Sequence, residues 1–210
     1  VINFAIHGTG LGVSNLNFSA DVPGAIERAT EQMFAQINKD TSAGLSNVVP
    51  SFAFINGAEG DVAPIGKGEA QREEIGKSFA AQALSALGQA RTLAGQWRIK
   101  QGIFRMPKPK LVLKKCIQED WINWIIPEWV SIGLGDFFPL MTKLTAVYLD
   151  DIIIMSWPGE PTTNLGLTLR EIARRSGARD GWVLGLTNEH LSYFVTPEEF
   201  AFGGYESCAA

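Results

Sequence analysis

The sequence predicts an α/β fold, with a mixed β-sheet core flanked by helices. Three observations predict it. Apolar strand signals alternate with segments of helical period along most of the 210 residues. Hydrophobic residues make up 46% and charged residues 19%, which supplies a substantial core and argues against disorder. Several strands end in loops rich in Gly, Asn and Pro, where α/β folds place their chemistry. No repeat, low-complexity tract or linker divides the chain, so residues 1–210 read as a single domain of catalytic type.

The elements follow in order. "VINFAI" is an apolar strand bounded by a Gly/Ser/Asn-rich loop. "DVPGAIERATEQMFAQIN" is a helix, with Ile26, Ala29, Met33 and Ile37 on one face, Asp21 as N-cap and Pro23 in the first turn. "NVVPSFAFING" is a buried strand. "GEAQREEIGKSFAAQALSALG" is an amphipathic helix with Ile75, Phe79, Ala83, Leu84 and Leu87 on one side, stopped at Gly88. "QWRIKQGIFRMPKPKLVL" alternates as one or two strands. The Trp- and Phe-rich segment "EDWINWIIPEWVSIGLGDFFPLM" keeps neither period and reads as a packed insertion or lid. "KLTAVYLDDIIIMSWPGE" is a strand pair turning at Asp150-Asp151. "TTNLGLTLREIARRSG" is a helix with Leu165, Leu169 and Ile172 inward and Gly177 at C′. "GWVLGLTN" is a further buried strand.

Composition also excludes. The net charge is −4, and no basic run exceeds the stretch from Lys108 to Lys115, so nucleic acid is not the expected partner. No apolar run reaches the length of a membrane span, and no signal-peptide pattern is present. The chain starts at Val1 inside an apolar strand and stops at "GGYESCAA". It is expected to be a fragment that lacks an N-terminal part and any C-terminal domain. Cys116 and Cys208 permit one disulfide, but buried free thiols are the simpler expectation.

Four strand ends carry candidate chemistry. His7 follows the first strand and suits a metal ligand or base, or a structural imidazole. Glu59 and Asp61 lie in the turn "GAEGDVAP", where Gly57 and Gly60 permit positive φ and close backbone approach to an oxyanion. An ordinary turn with solvated carboxylates is the alternative. Glu160 follows the apolar strand "IIIMSW" in a partly desolvated place, and Thr162 or Thr163 can cap the next helix without it. Asn188, Glu189, His190 and Tyr193 cluster after the last strand; a tyrosine there can ligate zinc or donate to an oxyanion, though taken alone it is most often a boundary aromatic with a wet hydroxyl. Together these strand ends offer His, Glu and Tyr, a donor set suited to Zn²⁺.

This combination resembles the neutral/alkaline, non-lysosomal ceramidase family, zinc-dependent N-acylsphingosine amidohydrolases. The motifs that carry it are the His7 loop with Asn15 and Asp21, "GDVAP", "PGEPTT", "LTNEHLSYFVTPEEF" and "GGYE"; residues 90–145 match poorly. The resemblance implies a zinc ion held by His7, Glu160 and Tyr193, with one further His from outside this chain. His190 aligns with no ligand position. It also implies that Tyr205 stabilises the oxyanion and that Asp61 belongs to the catalytic turn. The expected substrate is an N-acyl amide, small or lipid, and the family's habit implies a secreted or membrane-associated protein. Trp121, Trp124 and Trp129 are candidates to line an apolar pocket, or else ordinary aromatics.

One position departs from the family. Its motif reads Gly-Asp-Val-Ser-Pro, with the Ser as nucleophile, whereas this chain has Ala63. Alanine cannot form an acyl-enzyme. Water activated by zinc is the expected substitute. A ceramidase-like lipid- or ligand-binding module without catalysis is the rival reading. An unrelated α/β hydrolase using Glu59, Asp61 and Glu160 is a third.

Overall fold

The computed structural model describes residues 1–40, 51–90, 92–106, 110–117, 124–127, 129–134 and 139–208. They form two compact units. The first comprises Val1–Asn56 and Val62–Leu93, the second Gly57–Asp61 and Ala94–Ala210. The chain leaves and re-enters the first unit on either side of the Gly57–Asp61 turn.

In the first unit, β1 (Ile2–Phe4) and β2 (Phe54–Asn56) pair in parallel, with Ile2 opposite Phe54. Two helices pack with them, α1 (Asp21–Asp40) and α2 (Glu69–Leu87). Ile6, Val22 and Ile26 form the core, with Ile2, Phe54, Val62, Ile75 and Phe79 against it. Truncating a fully buried residue such as Ile26 costs about 2–5 kcal/mol. The helical faces expected from periodicity are right near their starts. Ile26 and Ala29 are buried, but Ile37 is 46% exposed and Leu87 45%. Asp21 does more than open α1. Its Oδ1 accepts from the Gly10 and Val22 N–H groups at 2.8 and 2.7 Å, and Oδ2 accepts from Leu11 N–H at 3.0 Å. It therefore fixes the loop that follows His7.

The second unit is built on a four-stranded mixed sheet. β3 (Trp97–Arg105) pairs antiparallel with β6 (Met141–Leu149), β6 antiparallel with β7 (Ile152–Ser156), and β7 parallel with β9 (Asp180–Leu184). The β6–β7 hairpin turns at Asp150-Asp151 as the sequence predicts, and Asp150 takes a φ of 51°. Helix α4 (Thr163–Arg175) makes the crossover between the parallel pair β7 and β9. Ala173 and Gly166 are its buried positions. Ile172, expected inward, is 52% exposed. Gly177 takes the expected left-handed C′ conformation, with φ 91°.

Shorter elements complete this unit. β4 (Lys110–Val112) pairs with β5 (Ser131–Gly133), and β8 (Glu160–Pro161) with β10 (Tyr193–Phe194). Helices α3 (Leu113–Cys116), α5 (Pro197–Phe202) and α6 (Tyr205–Cys208) are single or double turns. Cys116 and Cys208 are joined in a disulfide across 92 residues, which overturns the expectation of free thiols. Four-residue helices cannot hold themselves together, so the bridge ties α3 to α6. Part of the Trp-rich segment, including Trp121, lies outside the described residues. Trp124 and Trp129 are 87% and 81% exposed, so neither lines an apolar pocket within its unit.

Candidate active site

β7 and β9 run in parallel, so their carboxyl ends open at the same edge of the sheet, where α/β folds bind ligands. The two loops that leave this edge stay paired. Trp157 N–H donates to Leu184 O at 2.7 Å, Leu186 N–H to Gly159 O at 2.8 Å and Leu191 N–H to Pro158 O at 2.8 Å. Glu160 N–H then donates to Ser192 O at 2.9 Å and Thr162 N–H to Phe194 O at 3.0 Å. This continuous ladder delivers Glu160 and Tyr193 as register partners of the short parallel pair β8–β10. Register partners project from the same face. In the second loop, Leu186, Asn188 and Ser192 all adopt positive φ, at 52°, 76° and 67°. Each such non-glycine residue costs on the order of 1 kcal/mol or more, and such strain gathers at functional sites.

Glu160 is 8% exposed. The Tyr193 phenol interacts with its carboxylate and with Tyr205. The rings of Tyr193 and Tyr205 meet edge to face, with centroids 5.6 Å apart. Burial, then the negative charge of Glu160, then Tyr205 push the Tyr193 phenol well above its ordinary range. His190 also reaches this carboxylate, with Nε2 3.4 Å from Oε1 of Glu160. Glu160, Tyr193, Tyr205 and His190 are thus brought together within the second unit.

The turn before them is more buried than the sequence suggests. Glu59 is fully buried, not solvated, and neither carboxylate oxygen has a hydrogen-bond partner in another residue. Burial raises its pKa from 4.5 to about 7, with a smaller push from the charge of Glu160. Gly185, at the end of β9, makes room for it: a Cβ there would collide with Oε2 of Glu59. Gly60 lets the turn press against β8, since a Cβ would stand 2.7 Å from Glu160 O, and its N–H donates to Pro161 O at 2.9 Å. Neither Gly57 nor Gly60 takes a positive φ, so these glycines serve close approach, not the left-handed turn expected.

Asp61 has a specific structural engagement. Its Oδ1 accepts from the backbone N–H and the hydroxyl of Thr163, at 2.7 and 2.8 Å. It caps α4, which explains why the Thr162 side chain makes no capping bond. His7 stands in the first unit, half-buried, with its N–H donating to Val62 O at 2.9 Å. Ala63 belongs to the first unit and is exposed.

Among the described residues, no group of three or more His, Cys, Asp or Glu side chains is clustered to hold a metal ion. Glu160 and Tyr193 pair a buried carboxylate with a phenol, two oxygen donors that suit a divalent cation. A divalent cation would stabilise both oxygens as anions. The pair fits.

Sequence reasoning missed Glu199. It accepts from the Thr162 hydroxyl and the Thr196 N–H at 2.7 Å each, and from the Asn164 amide at 2.9 Å. Burial pushes this carboxyl up, but the Thr196 N–H and the Thr162 and Asn164 side chains outweigh it, and the net shift is downward. The pattern Thr196-x-x-Glu199 is a capping box, which was the available signal.

No protein family and no curated protein matches the sequence. Solved structures match its fold, two ceramidases among them. One is neutral ceramidase from Pseudomonas aeruginosa, with a TM-score of 0.73 and 17% identity over 99% of this chain and 40% of that one. The other is a ceramidase complexed with C2, with a TM-score of 0.71 and 15% identity over 99% of this chain and 41% of that one. This chain spans about two fifths of the length of the ceramidases it matches. At such identities the likeness is one of fold: this chain has the α/β fold of the part of neutral ceramidase that it covers.

Proposed function

We propose that the protein is a zinc-dependent hydrolase of N-acyl amide bonds, of the neutral ceramidase type. The observation that carries this is the pairing of Glu160 with Tyr193 on the short β8–β10 ladder, in a fold shared with a ceramidase. Glu160 and Tyr193 would hold the metal; the family resemblance names His7 as a further ligand. Zinc would supply Lewis acidity and lower the pKa of a water molecule to about 7. The chain's own groups do the rest. Tyr205, its ring edge to face with that of Tyr193, presents a phenol that can donate to the developing oxyanion. Asp61 anchors the helix that follows Glu160 and so orients that carboxylate. Ala63 bears no hydroxyl, so the attacking oxygen is that of water and no acyl-enzyme forms there. The substrate class proposed is an N-acyl amide with an apolar chain, ceramide among them.

Ala63 also favours a second reading, a lipid- or ligand-binding module that no longer hydrolyses. Measuring zinc in protein purified without chelator, together with release of fatty acid from an N-acyl amide, separates the two. The enzyme reading expects about one zinc per chain and turnover lost on Glu160→Gln. Bound lipid without metal or turnover favours the module. Ala63→Ser is the third arm: a gain in rate marks an impaired family site.

A further inference from the structure

The Glu199 carboxylate holds more than its own helix. A capping box needs one bond from the side chain at N3 to the N-cap N–H, and Thr196 N–H supplies it at 2.7 Å. The other two bonds come from far along the chain. Thr162 Oγ1, 37 residues away, donates at 2.7 Å, and Asn164 Nδ2, 35 residues away, donates at 2.9 Å. These lengths are those of charge-assisted bonds. Thr162 is 2% exposed, so the bond it makes is sheltered from water. The backbone of Glu199 takes part as well. Its carbonyl accepts from Ser207 Oγ at 3.0 Å and Gly203 N–H at 3.0 Å, and its N–H donates to Thr196 Oγ1 at 3.2 Å.

Three of the residues bonded to Glu199 lie two or three positions from a residue of the candidate site. Thr162 is two positions from Glu160, Thr196 three from Tyr193, and Ser207 two from Tyr205. The elements concerned are short: β8 and β10 have two residues each and α6 four. Such pieces have no stable geometry of their own. Their relative placement follows from what ties them together, and the Glu199 side chain is bonded to both Thr162 and Thr196.

We propose that Glu199 is a positioning residue that holds the Glu160–Tyr193–Tyr205 chain in register, through Thr162, Thr196 and Ser207. The role in catalysis rests on the function proposed above; the role in positioning does not. Outer partners of this kind typically contribute 10- to 100-fold to activity, on the order of what is expected here.

The test uses fluorotyrosine. With 3-fluorotyrosine incorporated, ¹⁹F resonances of Tyr148, Tyr193 and Tyr205 are assigned by single Tyr→Phe substitutions. Tyr148 is the reference, because it lies on β6 against Arg98 and Lys100. Glu199→Gln and Thr162→Val should each displace the Tyr193 and Tyr205 resonances while Tyr148 stays in place. Thr162→Ser, which keeps the hydroxyl, should restore both. In amide hydrolysis, Glu199→Gln should lower kcat about 10- to 100-fold, with KM within about twofold. Should Glu199→Gln fail to fold, Thr162→Val and Thr162→Ser decide. Folded variants in which Tyr193 and Tyr205 move no more than Tyr148 overturn the proposal. If the tyrosines move but the parent protein hydrolyses no N-acyl amide, the positioning stands and the proposed function falls.

Discussion

Replacing Glu59 with Gln tests the burial of that carboxyl most directly. The side chain is fully enclosed and its pKa is about 7, against an ordinary 4.5. The folded state therefore binds more protons than the unfolded state between these values. Stability must then fall as pH rises: it is fully present below 4.5 and lost as pH passes about 7. At 1.36 kcal/mol per pH unit, the interval is worth about 3 kcal/mol. Gln does not titrate, so Glu59→Gln removes this dependence. It adds a roughly constant offset of about 1–3 kcal/mol for an amide in the same pocket. The assay is urea denaturation of metal-free protein, kept in chelator, at intervals from pH 4 to 8.5. The difference in unfolding free energy between parent and variant should drop by about 3 kcal/mol across the range. A difference constant within about 0.5 kcal/mol would refute the reasoning, since it would mean that Glu59 titrates alike in both states. Adding zinc gives a second reading. A cation at Glu160 would stabilise the Glu59 carboxylate as well, and the slope should flatten.

Two more predictions follow from ties within the second unit. Asp180 accepts from Arg170 at 2.8 Å and Arg174 at 3.1 Å; burial pushes its carboxyl up, but these guanidiniums and the Gly181 N–H win, and the net shift is down from 3.8. Its contribution is present above 3.8 and lost as pH falls below it, so Asp180→Asn should cost about 1 kcal/mol at pH 7 after allowance for solvent screening. That cost should shrink in acid, and thermal melts at pH 7 and pH 3 check it. The Cys116–Cys208 bridge closes a 92-residue loop, so Cys116→Ser with Cys208→Ser should destabilise by about 2–5 kcal/mol and loosen α6. Thiols that react fully in denaturant without reductant would show the bridge absent.

The comparison of sequence with structure divides by range. Local rules found the elements because each depends on neighbours. The β6–β7 hairpin follows from Asp150-Asp151, and the end of α4 from Gly177. Where the rules reached toward helix ends they were less exact: Ile37, Leu87 and Ile172 keep the period but are about half exposed. The family resemblance names Glu160 and Tyr193 with His7, and Tyr205 with Asp61. Spacing along the chain says nothing of contact, which the β8–β10 register supplies for Glu160 and Tyr193 and an edge-to-face ring contact supplies for Tyr193 and Tyr205.

By itself, then, the sequence determined the α/β class, the order of strands and helices, and the absence of a hydroxyl at Ala63. Those are properties of composition, period and identity. Only the tertiary structure decided that Glu59 is buried and raised, that Asp61 caps α4, that the cysteines pair, and that Glu199 gathers Thr162, Asn164 and Thr196. Each depends on groups many residues apart, and the energy of a carboxylate is set by what surrounds it, not by what precedes it in the chain.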